Sequence, residues 1–193
     1  MKLAPVLALV CAMAGSAANQ HLIEGQADSM VRVVIYEDLQ CPDCADFRHM
    51  MDEKLLPKYA ARVAFEHHDF PLAKHAWARK ASMAARYFQQ QSPALAIKFR
   101  QYVMGHQPEI NAENAVPTFL RWAKEHGIEE PRLMAALEDS KLAADVESDY
   151  QEGVARGIAH TPTVLVNGQP FIETFTFEEV AKAIESELAA NNK

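Results

Sequence analysis

The segment Val31-Arg32-Val33-Val34-Ile35-Tyr36-Glu37-Asp38-Leu39-Gln40-Cys41-Pro42-Asp43-Cys44 holds an apolar run, a short acidic loop and a cysteine pair in immediate succession. The β-branched run Val31–Tyr36 reads as a buried strand. Glu37-Asp38-Leu39-Gln40 then reads as a loop. Cys41 falls at a helix N-cap with Pro42 at the first helical position, where its missing N–H costs nothing. Phe47, Met50, Met51, Leu55 and Leu56 continue at helical spacing, and Pro57 is expected to kink or end that helix. Two thiols three residues apart at a helix start face the same way and can close a disulfide. The unpaired N–H groups and the positive end of the helix dipole favour a thiolate at Cys41. Cys44, one turn in, is better shielded and suited to resolve a mixed disulfide.

Outward from this segment, residues 19–30 are polar and read as a lead-in. Val63–His68 is a second strand, closed by Phe70-Pro71-Leu72. Ala73–Gln90 reads as a helix with Trp77, Ala81, Ala84, Ala85 and Phe88 on one face. Further helices are expected at Pro93–Met104, Ala115–Glu125, from Pro131, and at Lys141–Arg156, with Gly127 and Gly157 as C-terminal caps. Thr163–Val166 and Pro170–Glu173 flank Asn167-Gly168, a strong hairpin signal. Thr176-x-x-Glu179 is a capping box for a last helix with Phe177, Val180, Ala181, Ile184 and Leu188 on its apolar face. The order is α/β, with a helical insertion of about residues 72–157 and no internal repeat or flexible linker.

The 193 residues are 49% apolar, enough for a core without staples, and the formal net charge is -7. An acidic chain without a basic run is poorly suited to a nucleic-acid backbone or an anionic membrane surface. Seven glycines and ten prolines exclude collagen-like and low-complexity classes. Lys2, the apolar run Leu3–Ala14, and Ser16 with Ala18 make residues 1–18 a secretory signal peptide, leaving 19–193 as the domain. An uncleaved anchor is disfavoured by the short apolar run, and lipidation at Cys11 by Val10 before it. Beyond the leader only Cys41 and Cys44 remain, in a chain addressed to a compartment where disulfides persist. Their small loop would constrain the unfolded chain little, which points to chemistry rather than to a staple. A zinc site would need two further ligands, and neither a second Cys-x-x-Cys nor the spacing to His67 and His68 supplies them.

Strand, Cys-Pro-Asp-Cys, helix, Asp69-Phe70-Pro71-Leu72, a helical insertion and Thr161-Pro162-Thr163 before an Asn-Gly hairpin together resemble the DsbA-like thiol–disulfide oxidoreductases. The resemblance spans about residues 30–190. It implies a thioredoxin-like α/β fold with the helical insertion between the second strand and a cis-proline hairpin. It also implies that Cys41 is the nucleophile and Cys44 the resolving thiol. Pro162 would carry a cis peptide bond facing Cys41, with Thr161 offering backbone groups to an extended substrate; Thr161-Pro162 by itself, without the resemblance, favours an ordinary trans strand entry. The expected partners are unfolded polypeptides with cysteines and a membrane redox partner, acting on a monomer in the periplasm or outside the cell. No organic cofactor or metal is required.

Two positions depart from that pattern. Where family members often carry a buried acid, six residues before the first cysteine, this chain has Ile35. Glu37 and Asp38 are candidates to replace it, or else solvated loop acids. Asp43 stands where strong oxidants of the family have histidine; it opposes charge on Cys41 and predicts a weaker oxidant. His160 either faces the cysteines and offsets Asp43 or is a polar loop residue. His49, His67, His68, His75, His106 and His126 are read as surface or strand-end residues, and Met50-Met51 as core. A reductase or isomerase, a metal-binding module on the same fold, and a polypeptide-binding chaperone are the competing readings.

Overall fold

Val33 and Ile35 alternate onto one face of a six-residue strand, β2 (Arg32–Glu37), and both are fully buried. The computed structural model describes residues 21–191. In it β2 is central, pairing in parallel with β3 (Ala64–Asp69) and antiparallel with β4 (Thr163–Val166). β1 (Leu22–Gly25) adds antiparallel to β3 and β5 (Gln169–Ile172) antiparallel to β4, giving the order β1-β3-β2-β4-β5. Asn167 and Gly168 both take positive φ, 44° and 94°, as a tight hairpin between twisted strands requires. The leader read in residues 1–18, with Lys2 and Cys11, lies outside the described residues.

One face of the sheet packs against α1 (Pro42–Met50), α2 (Leu56–Tyr59) and α8 (Phe177–Asn191). Phe47, Met51, Leu55, Tyr59, Val180 and Ile184 meet Val33, Ile35, Phe65 and Val164 there. The capping box that starts α8 is formed: Thr176 Oγ1 accepts from Glu179 N at 3.3 Å and Glu179 Oε2 accepts from Thr176 N at 2.7 Å. Between β3 and β4 lie α3 (Ala78–Gln91), α4 (Pro93–Gly105), α5 (Ala115–Glu125), α6 (Glu130–Leu137) and α7 (Ser140–Ala155). They close a second, aromatic core in which Phe99 meets Phe119 edge-on at 5.4 Å and Trp122 at 5.1 Å. Leu39, Cys41 and Cys44 belong to this second core although α1 itself lies on the first, so the cysteine pair sits at the seam between the two.

Two expectations are corrected, and a third, a kink or an end at Pro57, is narrowed. The lead-in contains β1, whose inward residues are Leu22 and Glu24; a buried acid in place of an apolar residue hid the alternation. Pro57 does not end its helix. Residues Met51–Leu55 widen into a π turn, with Leu56 N–H bonding Met51 O, and the helix resumes through Pro57. The third helix begins at Ala78, not Ala73. Leu72 N–H, the His75 ring and Trp77 N–H are drawn instead into hydrogen bonds with Asp38 and Gln40, which hold 72–77 as turns over the cysteine loop. Gly153 lets α7 approach the sheet: a Cβ there would lie 2.6 Å from the Phe70 ring and 3.1 Å from Tyr36.

Candidate active site

Cys41 is the N-cap of α1, with φ -78° and ψ 125°, and Pro42 follows at N1. Its carbonyl accepts from Cys44 N at 3.1 Å and Ala45 N at 3.2 Å, which starts the helix. Both cysteines are free thiols. In the dithiol form Cys41 Sγ donates to Thr161 O at 3.3 Å. The Thr161–Pro162 peptide is cis, and it sets the carbonyl of Thr161 against Cys41. Cys41 is held at about 6, against an ordinary thiol value of 9. A hydrogen bond from the Cys44 thiol is the main cause, and burial opposes it. Thr161 and the backbone N–H groups of Cys44 and Asp43 add to the lowering. The Thr161 hydroxyl is buried and has no hydrogen-bond partner among the described residues in the dithiol form, so it can donate to a thiolate.

Cys44 is fully buried. Burial, and then its role as donor to Cys41, push its thiol well above the ordinary range. Asp38 N reaches its sulfur at 3.4 Å. The pair is therefore asymmetric: the outer sulfur ionises near neutrality and the inner one holds its proton.

Neither acid before the motif is solvated. Asp38 is fully buried, and its carboxylate accepts from Gln40 N, Leu72 N and His75 Nδ1, each at 2.7 Å. Burial raises its pKa, and these donors counter the rise. Glu37 closes β2 rather than lying in the loop, and it is equally enclosed. Burial alone would raise its pKa, but the charges of His67 and Arg100 draw it below the ordinary carboxylate value. Its charge in turn helps keep the Cys44 proton in place.

Glu37 belongs to a run of buried ions that joins the sheet to the helical insertion. Arg100 of α4 donates to Glu37 at 2.7 Å and to Asp69 at 2.6 Å. Arg86 of α3 donates to Asp69 at 2.6 Å and contacts Asp149 of α7. His67 bridges Glu37 at 2.7 Å and Glu24 at 3.0 Å, and Arg48 of α1 contacts Glu24 and Asp52. His67 and His68 are thus buried residues of β3, not surface ones, because each ring has carboxylates to meet. His75 is half-buried on Asp38. His106 and His126 bond the carbonyls of Tyr102 and Trp122, whereas His49 is exposed beside Glu53. Met51 is fully buried in the core, and Met50 packs against it.

A cavity of about 330 Å³ opens beside Cys41, with Asp43, Lys74, His160, Thr161 and Glu173 on its wall. Asp43 is exposed. His160 is also exposed; its Nδ1 is 3.1 Å from Glu173, so it shares the cavity with Cys41 and is held by an acid rather than by the cysteines. Beyond Pro42 a second cavity, about 450 Å³, has Trp77, Met104, Pro108 and Ile110 on its wall. Sequence reading missed Gln107, whose side-chain amide donates to Leu39 O at 2.8 Å and Cys41 O at 3.1 Å, tying the insertion to the cysteine loop. Only its place before a proline in a polar turn marks it in the sequence.

This strand order, with a Cys-x-x-Cys pair at the first helix start opposite a cis-proline, is a thioredoxin arrangement, and a family model described as Thioredoxin matches residues 17–186. The chain belongs to the thioredoxin family. Its fold is similar to that of solved DsbA structures. The crystal structure of oxidised BdbD from Bacillus subtilis is 24% identical, with a TM-score of 0.79 over 88% of this chain and 93% of that one. α-DsbA1 from Wolbachia pipientis is 16% identical, with a TM-score of 0.77 over 88% and 92%. Among curated proteins, a Na(+)/H(+) antiporter NhaA 3 from Salinispora tropica is 25% identical over 169 residues, covering 87% of this chain. The chain spans about a quarter of the length of the curated relatives it matches. No helix among the described residues is long and apolar enough to cross a membrane.

Proposed function

We propose that the protein is a thiol–disulfide oxidoreductase working outside the cytoplasm, a disulfide donor of moderate oxidising power. The observation that supports this best is the asymmetry of the pair, with Cys41 at a helix N-terminus beside Thr161 and Cys44 sealed beneath it. In the oxidised enzyme a substrate thiolate attacks Cys41 Sγ and the Cys41–Cys44 bond breaks. Cys44 leaves with the electron pair and takes a proton. A second substrate thiolate then attacks the substrate sulfur of the mixed disulfide and releases Cys41 as a thiolate. The substrate loses two electrons and the pair gains them. A low-pKa thiolate leaves readily, so holding Cys41 at about 6 speeds this last step.

The same value sets the power of the oxidant. Thioredoxin's thiolate lies near ~7 and that of the strong oxidant DsbA near ~3.5. Cys41 falls between them, and Asp43 in place of a histidine is consistent with that. This position favours, as the second reading, a reductase or isomerase kept reduced. The substrate is an extended polypeptide with cysteines, lying along Thr161-Pro162, with the apolar wall beyond Pro42 receiving a side chain. A membrane redox partner restores the working form. The leader pattern in residues 1–18 supports the location, and no cofactor enters the scheme.

The test is oxidation of a reduced, unfolded protein by the disulfide form. Cys41→Ser abolishes turnover, and Cys44→Ala accumulates a mixed disulfide through Cys41. Turnover persisting in Cys41→Ser overturns the assignment.

A further inference from the structure

On the side of the sheet away from α1 and α8, three donor groups from distant parts of the chain converge: His21, just before β1; His68 of β3; and Asp149 of α7. One ligand atom from each lies within 4.8 Å of the others. The two imidazoles are stacked, with centroids 3.7 Å apart. Along one edge of the stack both rings meet the same carboxylate: Glu66 Oε1 is 3.1 Å from His21 Nδ1 and 2.9 Å from His68 Nε2. A carboxylate accepts, so these two ring nitrogens carry the protons. His21 Nε2 and His68 Nδ1 lie on the opposite edge of the stack.

Those nitrogens also face carboxylates. His21 Nε2 is 3.1 Å from Asp149 Oδ1, and His68 Nδ1 is 3.7 Å from Glu152 Oε2. His68 is buried, and its Nδ1 has no hydrogen-bond partner among the described residues. Asp149 and Glu152 are one turn apart on α7. Each gives one oxygen to the scaffold: Asp149 Oδ2 accepts from Asp69 N at 2.9 Å and meets the Arg86 guanidinium, and Glu152 Oε1 meets Arg156 at 2.8 Å. The other oxygen of each turns to the histidines. A shared cation, a proton or a metal ion, is what joins an imidazole nitrogen to a carboxylate oxygen.

We propose that His21, His68 and Asp149, with Glu152 beside them, form a binding site for a divalent transition metal such as Zn²⁺, separate from the cysteine pair. Two imidazoles with carboxylate oxygens suit zinc, and a ligating histidine ordinarily donates its other ring N–H to a carboxylate, the part Glu66 plays for both rings. Donors on one zinc lie ~3.3 Å apart in a tetrahedron, so the present spread closes by an ångström or so of side-chain rotation. His21, its side chain about one-fifth exposed, is the least enclosed of the three ligands. Bound metal would pin β1, β3 and α7 together and fasten the helical insertion to the sheet.

The test is equilibrium dialysis of the full chain carrying Cys41→Ser and Cys44→Ser against Zn²⁺, with the metal then quantified. Removing the thiols makes the result independent of the redox assignment. The expected result is about one bound equivalent, an affinity lowered more than about tenfold by His21→Ala and by ~10–100-fold by Glu66→Gln, and no change with His49→Ala. Zn²⁺ should also raise the melting temperature of the parent and not that of His21→Ala, a readout that shows the variant is folded. No stoichiometric zinc, or zinc bound equally well by a folded His21→Ala, overturns the proposal and leaves the cluster as a histidinium bridging two carboxylates.

Discussion

Thr161→Val separates two roles that the same hydroxyl has in the two protonation states of Cys41. In the dithiol form Thr161 Oγ1 is buried and without a partner among the described residues, so replacing it with a methyl group removes an unsatisfied polar atom. Stability should hold or rise by up to ~1 kcal/mol, because an orphan hydroxyl carries a desolvation cost. In the thiolate form the same hydroxyl is one of the donors that hold Cys41 at about 6. A hydrogen bond to a charged acceptor is worth ~1.5–3 kcal/mol, or ~1–2 pKa units at ~1.4 kcal/mol each, so the variant's thiol should titrate near ~7–8. At pH 7 the ionisation factor 1 + 10^(7 − pKa) then falls from ~11 to between ~2 and ~1.1, a five- to tenfold loss of preference for the reduced form. At 29.6 mV per tenfold, the reduction potential drops by ~20–30 mV. The assay is thiolate absorbance, or alkylation rate, against pH for both proteins, with reactivity rising as pH passes each midpoint. An unmoved midpoint in a folded Thr161→Val variant would refute the assignment of Thr161 as a thiolate donor.

Asp43→His should raise the potential by ~10–20 mV, since removing one exposed charge near the thiolate is worth ~0.5–1 kcal/mol; an unchanged or lower value in glutathione buffers would contradict the electrostatic role of Asp43. Arg100→Met takes one counter-ion from each of the buried acids Glu37 and Asp69, which keep His67 and Arg86, and should cost ~3–5 kcal/mol in chemical denaturation, far more than a surface ion pair. Acid should destabilise the fold: Glu24 and Asp69 are each lowered to about 2. Their contribution is complete above the ordinary carboxylate range and is lost as pH falls from ~4.5 toward ~2, on the order of 3 kcal/mol for Glu24, as denaturation midpoints at several pH values would show.

The cysteine motif, the Asn-Gly hairpin and the capping box were legible because each is a local signal, complete within a few residues. So were α4, α5 and α7, whose ends are marked by proline, glycine or acidic caps. The buried ions were not legible. Glu24, Glu37, His67 and Asp69 sit on strands where an apolar residue would ordinarily point inward, and their partners Arg86 and Arg100 lie far along the chain on helices. A charged residue reads as solvated until its counter-ion is placed, and only the fold places it. That is why β1 passed for a lead-in and Glu37 for a loop acid. The turn at 72–77 was missed for a related reason: Asp38 and Gln40 capture backbone donors that a helix there would have used. Pro57, read as a kink or an end, is met without an end: residues Met51–Leu55 widen into a π turn and the helix resumes through the proline.

The most direct test of the proposed chemistry is the redox equilibrium of the Cys41–Cys44 pair in glutathione buffers, read by alkylating free thiols. A donor with Cys41 held at about 6 should show one two-electron step between the potentials of thioredoxin, about −270 mV, and DsbA, about −120 mV. A step at or below the thioredoxin value would make the pair a reductant and contradict the donor assignment.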